Sequence, residues 1–175
     1  MAGVVAGSAA HIDHINRTTQ PYLGAKLSPL EAWLLLRGLR TLTLRLPRHQ
    51  ASGLLIAGRL RDHPAVARVL HPAWSDHPGR RTLEGFSGLF SFEVADGVDV
   101  PALVDGLRLF RIGVSWGGHE SLVMPAMASL EQSPDANSLR RFGVSPRLVR
   151  LHVGLEDPEA LWADLAQALM RAKIN

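Results

Sequence analysis

Two stretches of the chain carry residue types that could do chemistry. One is residues 148–156, Leu-Val-Arg-Leu-His-Val-Gly-Leu-Glu. Leu148, Arg150 and His152 alternate with Val149, Leu151 and Val153, so the run reads as a strand with its polar residues on one face and an aliphatic set on the other. A guanidinium in mid-strand is costly to bury unless something anionic meets it. Asp157-Pro158-Glu159 follows, an N-cap with proline at the first helical position. Arg150 therefore sits on rigid backbone just ahead of a helix, a good place from which to grip a carboxylate. An internal salt bridge is the competing reading, and the stretch alone leaves both open.

The other stretch is residues 115–121, Ser-Trp-Gly-Gly-His-Glu-Ser. Paired glycines after Trp116 let backbone come close to a ligand or another chain, and Ser115 and Trp116 offer a hydroxyl and an aromatic wall. The alternative is a tight connection needing positive φ at Gly117 or Gly118, with Trp116 in the core. Ser115, His119 and Glu120 do not make a hydrolase triad, because no nucleophile elbow surrounds the serine and sequence neighbours rarely point at each other. His11 and His14, flanking Asp13, lack a third ligand at metal-binding spacing and read as solvated helix surface. There is no phosphate-cradling glycine motif and no zinc signature.

The elements that must position these residues follow from the patterning. Residues 1–8, small and apolar, read as a buried strand, and residues 8–22 as a helix. Ser28-Pro29-Leu30-Glu31 makes a capping box for a second helix through residues 33–36 to Gly38, apolar on nearly all sides and so expected to lie buried between layers. Residues 39–62 read as helix with a kink or restart near Pro47, and Leu44, Ala51, Leu54, Leu55 and Gly58 share one face. Short strands are expected at 67–70, 88–94, 110–114, 122–124 and 148–153, with a helix capped by Asp99 and loop or short helices over 129–145. The last helix, 158–172, should bury Leu161, Trp162, Leu165 and Leu169 and leave Asp164 and Gln167 outward. Strands that do not alternate strictly with helices point to an α+β sandwich.

At 175 residues with 46% hydrophobic content, the chain can bury an ordinary core, which excludes disorder. It has no cysteine, so disulfide frameworks and thiolate metal sites are excluded. Net charge is only +3 and the arginines are scattered among acids, which argues against a nucleic-acid partner. The apolar run at 33–36 is too short to span a bilayer, and residues 1–10 lack a basic leading segment, so the expectation is a cytoplasmic protein with no membrane partner.

Four blocks carry a resemblance: Leu36-Arg37-Gly38-Leu39-Arg40-Thr41-Leu42, Gly88-Leu89-Phe90-Ser91-Phe92, Ser115 through Leu122, and Arg150 through Asp157. Together, in this order and at these separations, they resemble the pyridoxal-phosphate-dependent Cys/Met metabolism (trans-sulfuration) family, its cystathionine β-lyase branch above all, from Met1 to about Arg171. What is similar is the C-terminal portion. The resemblance implies a fold type I, aminotransferase-like architecture: residues 1–38 would be the last strand and helices of the large cofactor domain, and residues 39–175 the small C-terminal domain, a short, mostly antiparallel sheet with helices packed on it. It implies elimination or replacement on sulfur amino acids with pyridoxal 5'-phosphate, in a homotetramer. Arg150 matches the arginine that binds the substrate α-carboxylate, and Ser115 and Trp116 match the segment lining that pocket. The family's Schiff-base lysine and most of its cofactor-binding residues fall before the position matching Met1, and Lys26 and Lys173, the two lysines present, have the wrong context to replace it. The chain alone is therefore expected to be inactive, as part of a longer enzyme or as a non-catalytic module that binds or oligomerises.

Overall fold

The computed structural model describes residues 3–24, 26–132 and 137–173. The chain divides into two compact units, Met1–Leu44 and Arg45–Asn175.

In the first unit, residues 3–8 are irregular and exposed rather than a strand. They have the composition for one, but among the described residues no neighbouring strand takes their hydrogen bonds; residues 1 and 2 lie outside the described residues. Helix α1 (Ala9–His14) is capped by Ser8, whose hydroxyl accepts from the His11 amide. The chain continues through a π-helical turn, Ile15–Thr19, into α2 (Gln20–Leu23), and ends at Gly24 with φ of 70°. Helix α3 (Pro29–Leu39) has the expected capping box: the Ser28 hydroxyl accepts from the Glu31 amide at 3.3 Å, and the Glu31 carboxylate accepts from the Ser28 amide at 3.2 Å. The expected burial of α3 is not found. Trp33 is 57% exposed and Leu36 52%, because within its unit no second layer covers the apolar side.

The second unit holds the core. Helix α4 (Leu42–Arg61) is one helix with Pro47 inside it, so of the kink or restart expected there the restart is not found. Its buried stripe is His49, Ser52, Gly53, Ile56, Ala57 and Leu60, nearly on the opposite side of the helix from the face read in the sequence; Leu44 and Ala51 are exposed, and Leu54, Leu55 and Gly58 are half-buried. Gly53 sets this orientation: a Cβ there would sit 3.1 Å from the Gly88 Cα, so the helix approaches the chain through a position with no side chain.

Strand β1 (Val66–Leu70) is followed by 3-10 turns at Pro72–Trp74 and Pro78–Thr82, then β2 (Leu89–Val94), α5 (Val100–Asp105), β3 (Arg111–Ile112), β4 (Leu122–Pro125), α6 (Ala126–Glu131), α7 (Ser138–Arg141), β5 (Leu148–His152) and α8 (Pro158–Arg171). The sheet order is β1-β2-β5-β4-β3, antiparallel except for the β3–β4 pair. One face is the core: Phe92, Val149, Leu151 and Val123 pack with Ile56, Leu60, Leu103, Leu161, Leu165 and Leu169, all essentially inaccessible. Each such aliphatic or aromatic side chain contributes about 1.5–3 kcal/mol through burial. Helix α8 differs from expectation at Asp164, which is 6% exposed rather than outward. Its carboxylate accepts from the Arg108 amide at 3.0 Å and the Leu109 amide at 2.8 Å, tying down the chain between α5 and β3, while Gln167 donates to the Gly106 carbonyl at 2.7 Å. Trp162 is half-buried, with the Arg59 guanidinium 5.7 Å from its ring.

Among the described residues no helix is long and apolar enough to cross a membrane, and no cluster of three or more His, Cys, Asp or Glu could hold a metal ion.

Candidate functional site

Strand β5 is paired on both sides, and its register lines up Ser91 of β2, Arg150 and Met124 of β4. Strand alternation puts this row on the face opposite Val149 and Leu151. Arg150 is half-buried there. Its Nη2 donates to the carbonyl of Val114 at 2.6 Å, and among the described residues no carboxylate meets the guanidinium. The salt bridge that the strand alone left open is thus not made among the described residues. Val114 immediately precedes Ser115, so the bond ties Arg150 to the start of the 115–121 stretch. A cavity of about 570 Å³ in this unit is lined by Leu70, His71, Trp74, His77, Arg80 and other residues near β1, and not by Arg150.

Residues 115–121 connect the parallel strands β3 and β4. Gly117 has φ of 82°, the backbone conformation expected of a tight connection, but Trp116 is 61% exposed instead of forming core. Ser115 is exposed as well. His119 Nδ1 lies 3.1 Å from Glu120 Oε2 with the imidazole 86% exposed, and no hydrogen bond among the described residues joins either to Ser115. A hydrolase constellation is not assembled.

The connection is strapped to the end of β5 by groups that sequence reasoning missed. The Glu156 carboxylate accepts from the Ser121 amide at 2.7 Å and from its hydroxyl at 2.8 Å, while the Ser121 Oγ accepts from the Gly154 amide at 2.9 Å. The His119 carbonyl accepts from the Leu155 amide at 2.8 Å. A Cβ on Gly154 would run into that same His119 carbonyl and the Glu156 carboxylate, so the strap closes only over glycine. His152 completes it, with Nε2 3.1 Å from the Gly118 carbonyl oxygen and 3.1 Å from the Gly117 amide nitrogen. His49 of α4 donates from Nδ1 to the Val153 carbonyl at 2.8 Å and packs on His152 with ring centroids 5.3 Å apart. Glu156 was visible in the sequence only as part of the Arg150–Asp157 block that carries the resemblance. Nothing in the spacing pointed to His49, which lies 103 residues from its partner ring by sequence.

The other end of β5 is charged and closed. Glu93, 7% exposed, receives Arg68 at 2.7 Å and Arg147 at 3.4 Å, and Arg147 also pairs with Asp96. Hydrogen bonding from Ser145, then from Arg68, with the nearby Arg68 and Arg147 charges, holds the Glu93 carboxyl below its ordinary value despite its burial.

A family model described as Cys/Met metabolism PLP-dependent enzyme matches residues 1–170. The chain is 40% identical over 181 residues to the cystathionine β-lyase of Bordetella avium, covering 98% of this chain and 43% of that protein. To the cystathionine γ-lyase of Bacillus subtilis (strain 168) it is 34% identical, covering 97% and 46%. The crystal structure of cystathionine γ-lyase from Lactobacillus plantarum, complexed with L-serine, matches with a TM-score of 0.85 at 30% identity, over 96% of this chain and 45% of that one. The chain thus spans less than half the length of these relatives. A match running through both units, on an α+β part of the same fold, shows that the chain belongs to the Cys/Met metabolism family of PLP-dependent enzymes.

Proposed function

We propose that this chain is the C-terminal part of a PLP-dependent carbon–sulfur lyase of the trans-sulfuration type, cystathionine β-lyase-like, in which Arg150 holds the substrate α-carboxylate and Ser115 and Trp116 line the same place. The observation that carries this reading is a mid-sheet guanidinium with no carboxylate partner among the described residues, pinned by one bond to the carbonyl just before Ser115. A guanidinium has five N–H donors in a planar fork, so one bond to Val114 orients it and leaves donors for a carboxylate. Such a grip fixes where the substrate lies, and the exposed Trp116 gives it a wall that keeps water off one side. The Gly154–Glu156 strap keeps the two parts of this arrangement at a set separation.

PLP, when bound, supplies the electron sink for breaking the carbon–sulfur bond. The described residues do not fit the cofactor itself. Lys173 follows α8, whose 14 residues put it about 20 Å along the helix axis from the strap, and Lys26 is exposed in the irregular stretch before α3. In this reading the chain's contribution is position, the cofactor-bearing lysine belongs to the rest of the enzyme, and the isolated chain releases no thiol from L-cystathionine. The first 38 residues would close the cofactor domain, and the compact unit ending at Leu44 supports a boundary nearby. A cytoplasmic homotetramer acting on sulfur amino acids is the corresponding whole.

Titration of the chain with L-cystathionine, followed by amide shifts at residues 114–118, tests the site. Arg150→Ala should weaken binding by about tenfold or more, the worth of a charge-assisted bond, while Arg147→Ala leaves it unchanged. Equal binding by Arg150→Ala sinks the reading. The β-lyase choice rests on residues 115–122 and 150–157. A γ-lyase or γ-synthase-type relative is the alternative: from cystathionine the complete enzyme would release homocysteine as a β-lyase or cysteine as a γ-lyase, whereas a synthase would form cystathionine with cysteine as the incoming thiol.

A second reading is favoured by the exposed apolar side of α3: a non-catalytic module that works by binding or oligomerising. Sedimentation of the purified chain decides it, since a monomer at all concentrations would remove the reading.

A further inference from the structure

His152 follows Arg150 by two residues on the same face of β5 and is 2% exposed. Its Nε2 is 3.1 Å from the Gly118 carbonyl oxygen, and the Gly117 amide nitrogen lies 3.1 Å from Nε2 and 3.4 Å from Nδ1. A neutral imidazole has one N–H and one lone pair. With its proton on Nε2 the ring donates to the Gly118 carbonyl, and Nδ1 is then the acceptor in reach of the Gly117 N–H. One side chain thus serves a donor and an acceptor of the turn that carries Trp116. Behind it lies His49, whose Nδ1 donates to the Val153 carbonyl and whose Nε2 is buried with no partner among the described residues.

We propose that His152 is the positioning residue of the Arg150 site: backed by His49, the neutral ring fixes the turn at residues 116–118, and protonation releases it. The proposal rests on the reading of Arg150 as the carboxylate-binding group and adds its regulation.

Protonation puts a hydrogen on both ring nitrogens, so the Gly117 N–H loses its acceptor while the Gly118 bond survives. The groups around the ring are His49 from α4, Glu120 in the connection, Glu156 beyond the strand and Arg150 two residues back, with Arg48 of α4 reaching the Glu156 carbonyl at 3.4 Å. Burial and then His49 oppose the charged ring; the Gly118 carbonyl, Glu120 and Glu156 favour it. Burial dominates, and the ring titrates below the ordinary histidine range. The turn is therefore held at neutral pH and above. Its hold is lost as pH falls through that depressed value, below about 6.5.

The test is an amide and imidazole NMR titration of the ligand-free chain between about pH 8 and about pH 5. The Gly117 amide should move with the His152 ring through one midpoint. In His152→Gln, which keeps a donor and an acceptor at that place, the Gly117 and Gly118 shifts should stay near wild type and the titration should vanish. In His152→Phe both shifts should depart at about pH 8 and affinity for L-cystathionine should fall about fivefold. A ring that titrates while Gly117 stands still overturns the proposal, as do unchanged Gly117 and Gly118 shifts in His152→Phe. The wild-type titration needs no variant, so a misfolded mutant does not remove the test. Failure of wild-type chain to bind L-cystathionine at about pH 8, with the coupled titration intact, counts against the Arg150 reading alone.

Discussion

The two ends of β5 treat their arginines differently. At the N-terminal end Arg147 meets Glu93 and Asp96, and Arg68 meets Glu93 from β1, so charge is balanced within the fold. Toward the C-terminal end, at the centre of the strand, Arg150 meets the Val114 carbonyl, and among the described residues no carboxylate. Both guanidiniums lie in or beside the same strand under the same sheet register. The difference teaches that what separates a structural arginine from a binding one here is whether the fold supplies the counter-ion. Where it does, the charge is spent on stability; where it does not, the neighbouring backbone is held rigid instead, by His152, Ser121 and Glu156.

The sharpest way to break this contrast is at the strap. Gly154→Ala should destabilise the second unit by about 3 kcal/mol or more, because the new methyl meets backbone and a half-buried carboxylate held by the Ser121 amide and hydroxyl; denaturant midpoints check it, and a wild-type midpoint would show that the strap yields. Glu93→Ala should cost about 1 kcal/mol, the loss of two ion pairs whose exposed guanidiniums regain water. Arg150→Ala should cost within about 0.5 kcal/mol, since no partner charge is left behind, and its effect should appear in carboxylate binding. If the two substitutions destabilise equally, the distinction between the ends fails.

Acid should separate the ends in order. His152, like His63 and His71, has its charged form disfavoured first by burial, so the folded state binds fewer protons than the unfolded chain. Their stabilising contribution is complete above about pH 6.5 and declines as pH falls toward the depressed folded values. Glu93 is the opposite ionic type with the same direction of shift: its contribution is complete above about pH 4.5 and is lost as pH falls through its lowered folded value. Hydrogen exchange should therefore show the amides of residues 114–121 loosening first and those around Glu93 only at more acid pH; simultaneous loosening would contradict the contrast. The smallest expected effect is Trp116→Ala, within about 0.5 kcal/mol in stability because the ring is exposed, with the loss read in ligand affinity.

What the sequence made legible was local or periodic. The Ser28–Glu31 capping box, the alternation of β5 and the apolar stripe of α8 each report a spacing rule with a short physical range, and each appears as read. The five expected strands of the sheet are present within a few residues. Residues 3–8 failed because β composition needs a partner strand to become structure. The α4 face failed because Gly53 against Gly88 is a long-range contact, and absence of a side chain leaves no hydrophobic signal. Asp164 was read as surface by its charge, yet it caps amides 55 and 56 residues away in sequence. The candidate site divides the same way. Arg150 and the diglycine turn announce themselves by being unusual where they stand, whereas His49 matters only through tertiary contact.

The connection between β3 and β4 is nine residues, 113–121, where parallel neighbours are ordinarily joined by a dozen or more with a helix between them. So little slack leaves the chain no room to coil into a separate element or retreat from the sheet. The length of this bridge, more than the identity of any one residue in it, sets how far the indole can stand from the guanidinium. An added residue or two would change the size of guest the gap admits before it changed the chemistry of either wall.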